Sequence, residues 1–236
     1  MKKLYSLLLL SLISLGLQAQ SPIGAWEATM DNEKNETLKS VLIIADGYQV
    51  LTVYNETTNE FMLTNGGTWS LNGNLMTETV EFNSSAPETV GQTVSFEIEL
   101  TDNTLQIVGQ DMVMNRIDDG TPGELNGAWL MSGRKRDGEI QSRDTTRPRK
   151  TMKILSGTRF QWIAYDTERK SFSGTGGGTY STVDGVYTEN IEFFSRDASR
   201  VGASLEFDFE LVDGDWHHSG LSSKGDPIYE IWSVRK

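Results

Sequence analysis

Apolar and polar residues alternate with period two along most of the chain. Phe96, Ile98 and Leu100 are separated by Glu97 and Glu99, and Phe207, Phe209 and Leu211 by Asp208 and Glu210. Side chains on a strand point alternately to opposite faces, so this pattern predicts strands with one buried and one wet face. Strands are expected near 24–30, 39–45, 48–54, 61–70, 75–82, 93–100, 104–109 and 112–117, and again near 127–133, 150–156, 158–165, 171–182, 186–195, 203–211, 214–219 and 228–235. Asp46-Gly47, Asn72-Gly73, Asp184-Gly185 and Asp213-Gly214 stand between them. Such pairs tolerate positive φ at both central positions and favour tight hairpins. Hairpins in strict succession make an up-and-down meander, and eight such strands with an apolar inner face can close into a barrel.

The pattern is written twice. Gly24-Ala25-Trp26 recurs as Gly127-Ala128-Trp129. Thr77-Glu78-Thr79-Val80-Glu81-Phe82 aligns with Thr188-Glu189-Asn190-Ile191-Glu192-Phe193, and Phe96-Glu97-Ile98-Glu99-Leu100 with Phe207-Asp208-Phe209-Glu210-Leu211. From Phe61 onward the pairs keep one constant spacing of 111 residues. Two copies of this length are tandem domains and not a solenoid of short repeats. Turn chemistry at Asp118-Asp119-Gly120-Thr121-Pro122-Gly123 marks the boundary. The expected organisation is all-β: two tandem eight-stranded antiparallel barrels over 21–119 and 124–236, a linker at 120–123, and an address segment at 1–19.

That segment pairs Lys2 and Lys3 with an apolar stretch from Leu7 to Leu17 and then Leu17-Gln18-Ala19. This is the order of a cleaved signal peptide, with processing after Ala19. The apolar run is shorter than the ~20 residues a spanning helix needs, and no later run matches it. Export and no membrane span are the expectation. The chain has no cysteine, which removes disulfides, thiolate metal ligands and a cysteine nucleophile. Export without disulfides points to a bacterial periplasmic or secreted protein.

Composition refines this picture. Among 236 residues, 33 acids oppose 21 bases, for a net charge of −12. That disfavours non-specific nucleic-acid binding. The charge is unevenly shared: the first copy holds 16 acids and three bases, the second 17 acids and 16 bases. Seven of the second copy's bases fall within 134–150, a segment with no counterpart in the first. The expectation there is a solvated loop, or a contact through which the two domains meet.

The Gly-x-Trp triplet on each first strand resembles the signature of lipocalins, members of the calycin superfamily. In that family the Trp closes the barrel floor and an Arg on the last strand packs over it. The resemblance implies Gly24, Trp26 and Arg116 as one such set and Gly127, Trp129 and Arg235 as the other. With Trp216-His217-His218-Ser219-Gly220, the second half also looks like lipocalin-like exported proteins of Bacteroidota. The lipocalin C-terminal helix and disulfide have no counterpart here.

Glu78 and Glu189 occupy the same place in the two copies, each on an otherwise apolar strand face. Such a carboxylate must be paired, protonated or near the mouth. It is either a polar anchor in a ligand pocket or a structural group bonded to a neighbour. Alternation turns Trp216 and His218 inward and His217 outward. His218 is a candidate ligand contact, metal ligand or general base, set against a satisfied buried histidine. Phe160 and Trp162 share a face and, with Tyr187, supply aromatic surface to a pocket or core. Thr175-Gly176-Gly177-Gly178-Thr179 lacks the ending of a phosphate cradle and reads as a bulged or bent strand. No nucleophile elbow or His-Glu-x-x-His motif is present. No catalytic residue, metal site or cofactor is therefore assigned.

The leading expectation is a non-enzymatic binding protein for a small apolar or amphipathic molecule. Glu189, His218, Trp162, Tyr187 and Phe160 would line the second barrel's pocket, and Glu78 would mark the first. A cell-envelope interaction module with filled barrels is the alternative. A hydrolase or isomerase using Glu189 and His218 is the third.

Overall fold

A computed structural model describes residues 20–222 and 224–235. The signal segment expected at 1–19 lies outside the described residues. The first barrel comprises β1 (Gly24–Asp31), β2 (Thr37–Ala45), β3 (Tyr48–Asn55), β4 (Phe61–Asn72), β5 (Leu75–Asn83), β6 (Thr93–Leu100), β7 (Thr104–Ile107) and β8 (Val113–Asp118). Each strand pairs antiparallel with the next, and β8 returns to β1 to close the sheet. The second comprises β9 (Gly127–Arg136), β10 (Glu139–Ser142), β11 (Arg149–Leu155), β12 (Arg159–Asp166), β13 (Ser171–Val183), β14 (Val186–Phe194), β15 (Ser204–Val212), β16 (Asp215–Leu221) and β17 (Pro227–Val234). It closes through pairing of β9 with β17, leaving β10 as a flap on β9. Helix is confined, among the described residues, to single 3-10 turns at Pro87–Thr89 and Ala198–Arg200.

The glycine of each Gly-x-Trp triplet has a backbone reason. Gly24 and Gly127 lie at φ of +127° and +131°, a region closed to residues with a Cβ. A Cβ on Gly24 would also stand 2.1 Å from the Asp118 carbonyl oxygen. The indoles that follow are buried, and each Nε1 donates back to the chain at 2.8 Å, Trp26 to Pro22 O and Trp129 to Leu125 O. The glycine run is a bulged strand: β13 shifts register against β14 between Gly177 and Gly178, as β4 does against β5 between Gly66 and Gly67.

Two apolar clusters fill the barrel interiors, one around Trp26, Met76, Ile98 and Met114, the other around Trp129, Tyr187, Phe207 and Trp216. A third lies between the barrels and joins Ile43, Val50, Tyr54 and Phe82 of the first to Met152, Ile154, Tyr165 and Phe193 of the second. β2, β3, β11 and β12 are thus buried on both faces, which explains continuous apolar runs such as Val41-Leu42-Ile43-Ile44-Ala45.

Contacts across this interface are reciprocal. The Tyr54 hydroxyl donates to Glu192 at 2.9 Å, and that of Tyr165 donates to Glu81 at 2.6 Å. Tyr54 stacks on Phe193 while Tyr165 lies against Phe82, with centroids 5.2 and 4.8 Å apart. Phe61 and Phe172, equivalent in the two copies, stack on each other. Gln161 ties the centre together, accepting from Thr52 and donating to Thr64 and Thr175. Arg235 pairs with Glu81 across the contact, and Arg159, paired with Glu192 inside the second barrel, also reaches Glu27 of the first at 3.7 Å.

The expected docking loop takes a different form. β9 runs on to Arg136 and turns at Asp137 and Gly138 into β10, so half of 134–150 is a β-hairpin. The described hydrogen bonds of this segment stay within its own barrel: Arg143 contacts Met131 Sδ and Thr151, and Lys150 the carbonyls of Thr145 and Arg147. The barrels meet through their apolar sheet faces instead.

The two arginines expected over the tryptophans also diverge. The Arg116 guanidinium lies over Trp26, 4.0 Å from the ring centroid. In the second barrel the residue opposite Trp129 is Val234, so Arg235 falls one position later, where the backbone turns it to the other face. It leaves Trp129 and lies over Tyr48 of the first barrel, 4.2 Å from its centroid.

Candidate functional site

The second barrel encloses a cavity of about 220 Å³. Its wall is largely apolar and aromatic, with Trp162, Phe194, Phe207 and Trp232. Half-buried Arg200 and Ser222 lie where it meets the surface.

Lys153, Glu189, His218 and Glu230 are among the polar side chains that converge on it. Alternation on β11 sends Met152 and Ile154 outward into the barrel contact and Lys153 inward. Lys153 is only 4% exposed, and its Nζ sits 2.7 Å from Glu189 Oε1. The same oxygen accepts the Tyr187 hydroxyl at 2.9 Å. The ammonium also lies about 5 Å from three ring centroids, 5.0 Å from Tyr187, 4.8 Å from Trp216 and 5.2 Å from Trp232. Removing two charges from water costs several kcal/mol per ion. Ion pairing, the phenolic hydrogen bond and the ring faces offset that cost together. Burial, with the Glu189 charge adding to it, pushes the Tyr187 hydroxyl well above the usual phenol range, so it remains a donor.

His218 is 2% exposed, and its ring packs on Phe207 with centroids 4.1 Å apart. Burial and the nearby Lys153 charge hold its pKa below the ordinary imidazole value. Its Nδ1 is 3.4 Å from Glu230 Oε2. Among the described residues Glu230 is thus the polar neighbour of Nδ1, and Nε2 is buried without a hydrogen-bond partner. Burial opposes ionisation of Glu230, yet His218 and Lys153 outweigh it and hold this carboxyl below its ordinary range.

Of the sequence-predicted residues, Glu189, His218 and Trp162 reach the cavity wall. Tyr187 stands behind it, holding Glu189. Phe160 packs edge-on against Tyr187 and belongs to the core, away from the cavity lining. Glu189 and His218 share the wall, each with its own polar neighbours. Glu189 is engaged by Lys153 and Tyr187, and the carboxylate at ion-pair distance from His218 is that of Glu230. Lys153, Glu230, Trp232 and Arg200 escape the sequence reading. For Lys153 a signal was present: a cation set between the apolar Met152 and Ile154-Leu155 in the buried half of its strand. Among the described residues no group of three His, Asp or Glu side chains could hold a metal ion, and no helix is long and apolar enough to cross a membrane.

The first barrel carries a smaller cavity of about 170 Å³, lined by Leu42, Leu51, Met76, Phe96, Met114 and Glu78 among others. The residues that hold charge in the second barrel are replaced here. Leu42 sits across from Trp26 as Lys153 sits across from Trp129. Ile107 stands where His218 is, and Met112 takes the place of Glu230.

The second barrel, residues 124–235, matches a family described as a domain of unknown function (DUF4488). No curated protein matches the chain.

Proposed function

We propose that this chain is an exported, non-enzymatic binding protein whose second, lipocalin-like barrel holds one small amphipathic molecule. The observation that carries this reading is His218, whose Nε2 is buried without a hydrogen-bond partner on the wall of an aromatic cavity. A buried polar group left unsatisfied costs about 1–3 kcal/mol. A ligand that hydrogen-bonds His218 recovers that cost, while its apolar body rests on Trp162, Phe194, Phe207 and Trp232. Desolvation of that body supplies the affinity, at roughly 25 cal/mol per Å² buried. The cavity is smaller than the roughly 300–1,000 Å³ usual for drug-sized ligands, which favours a compact molecule. Internal space in both barrels speaks against the filled-barrel alternative. The engagement of Glu189 by Lys153 and Tyr187 speaks against the acid–base enzyme.

Native mass spectrometry of the chain isolated from its own cell envelope, combined with titration by compact apolar probes, tests the proposal. A co-purifying small molecule, or a saturable probe site weakened at least tenfold in His218→Phe, supports it. No saturable site sensitive to His218 would overturn it. Export is tested separately, by finding the chain processed after Ala19 in the envelope or medium.

A further inference from the structure

The two barrels answer one electrostatic problem differently. Each presents a glutamate on the same inward strand position, Glu78 on β5 and Glu189 on β14, opposite Trp69 and Tyr180 respectively. Both are buried, at 9% and 5% exposure. Glu189 has an internal cation, Lys153. At the matching position the first barrel has Leu42, on the wall of the same cavity as Glu78. The first barrel's three bases are all placed elsewhere. Lys39 pairs with Glu27, Arg116 lies over Trp26 and donates to the Ile23 and Ser21 carbonyls, and Lys34 stands exposed in the turn after β1. Glu78 Oε1 is consequently buried with no hydrogen-bond partner.

We propose that the first barrel is a separate binding site for a small organic ammonium ion, whose cationic nitrogen meets Glu78 in the role that Lys153 plays for Glu189. The remaining wall fits the body of such an ion. Leu42, Leu51 and Phe96 are apolar, and Met76, Met112 and Met114 supply polarizable thioethers that adapt to irregular shapes. The volume of about 170 Å³ is close to the ~150 Å³ apolar cavity that admits benzene, so the ion carries one six-membered ring or a short branched chain. Half-buried Asn65 and exposed Gln110 place the entrance. The strongly acidic first copy raises the local concentration of cations around that entrance. Burial, opposed in part by the Gln49 side chain, raises the Glu78 pKa above the ordinary carboxylate value, as a carboxylate lacking its counter-ion should show. This site does not depend on what the second barrel holds.

Calorimetric titration of the full chain with benzylammonium and cyclohexylammonium tests it, with benzyl alcohol and cyclohexanol as neutral counterparts of the same shape. The expected result is a single saturable site for the ammonium ions, with the alcohols at least tenfold weaker. Glu78→Gln keeps the shape, removes the charge, and is expected to weaken ammonium binding at least tenfold. Leu42→Lys installs the second barrel's internal cation and is expected to abolish it, while Glu189→Gln leaves it unchanged. Circular dichroism confirms that each variant is folded. No saturable ammonium binding, equal affinity for the alcohols, or ammonium binding that survives Glu78→Gln would each overturn the proposal. If Glu78→Gln fails to fold, Leu42→Lys decides the matter: retained ammonium binding overturns the proposal and lost binding supports it.

Discussion

Arg235 and Glu81 form a bidentate pair across the barrel contact, Nη2 to Oε1 at 2.6 Å and Nη1 to Oε2 at 2.8 Å. Tyr165 donates to the same carboxylate. Burial alone would lower the guanidinium pKa, but the hydrogen bonds and charge of Glu81 more than reverse this. With side chains 9% and 15% exposed, the pair is shielded from solvent. Glu81→Gln leaves a buried guanidinium without its counter-charge, for which the expected loss is about 3–5 kcal/mol. Urea denaturation measures it, and a change below about 0.5 kcal/mol would show that the pair contributes little to docking.

Lys153 and Glu189 are expected to be strongly coupled. Lys153→Met keeps the length of the side chain among Tyr187, Trp216 and Trp232 but strands the carboxylate. Each single change, Lys153→Met or Glu189→Gln, should cost more than its share of the double variant. A coupling of about 1–3 kcal/mol is expected from the double-mutant cycle. Strict additivity would mean that the two groups do not stabilise one another.

Stability should fall as acidity charges His218. Its folded pKa lies below the unfolded value of 6.5, so the unfolded chain binds the proton first. Stability therefore rises with pH wherever the unfolded state holds more protons. The contribution of neutral His218 is complete above 6.5 and is lost as pH drops below that value toward the folded pKa. Wild type and His218→Gln, compared by denaturant unfolding at about pH 7.5 and about pH 5, should converge in the acid. A difference that stays constant would exclude a depressed His218.

Glu78 has the opposite sign. Its folded pKa is raised above 4.5, so the stability linked to the protonated carboxyl is full below 4.5 and lost as pH rises through the folded value. Glu78→Gln escapes that loss. It should gain on wild type by about 1 kcal/mol or more between about pH 4 and about pH 7, the scale of one unsatisfied buried polar group. Parallel stability curves would rule out an unpaired charge at this position.

Gly178→Ala should destabilise the second barrel by about 2 kcal/mol or more. An added Cβ would stand 2.0 Å from the Asn190 carbonyl oxygen and 2.8 Å from the Glu192 nitrogen, at the bulge where β13 crosses β14. Thermal unfolding reads the effect. A melting temperature equal to wild type would show that the strand can straighten.

Period-two alternation, Asn-Gly and Asp-Gly turns and the constant spacing of the repeat were enough to place sixteen strands and two barrels. Each of those signals is local or regular. The hairpin at 134–142 was not legible because its first strand is the basic run Arg134-Lys135-Arg136 and its second, Glu139–Ser142, is short and exposed, although Asp137-Gly138 carried the turn signal. Glu189, His218 and Trp162 were legible because a polar or aromatic residue on an inward face stands out. Glu230 was not, because β17 pairs with β9 through a register shift between Ile231 and Trp232 that no local pattern encodes. Arg235 misled for a related reason. Its position in the chain suggested Trp129, and a single-residue difference in register sent it to the other barrel. The contact between barrels was expected through the basic segment at 134–150, and the apolar runs that form it instead, such as Val41–Ala45, do not name what buries them.

The reciprocity of Tyr54 with Glu192 and Tyr165 with Glu81 is that of a two-fold symmetric dimer, in which a patch on each subunit meets its own copy. Subunits encoded separately would carry identical interiors, so any change in one pocket would appear in both. Joining the copies in one chain lifts that constraint while keeping the shared contact. One barrel can hold a buried lysine and the other a leucine at the same point, and a single polypeptide can present two different interiors in fixed one-to-one proportion.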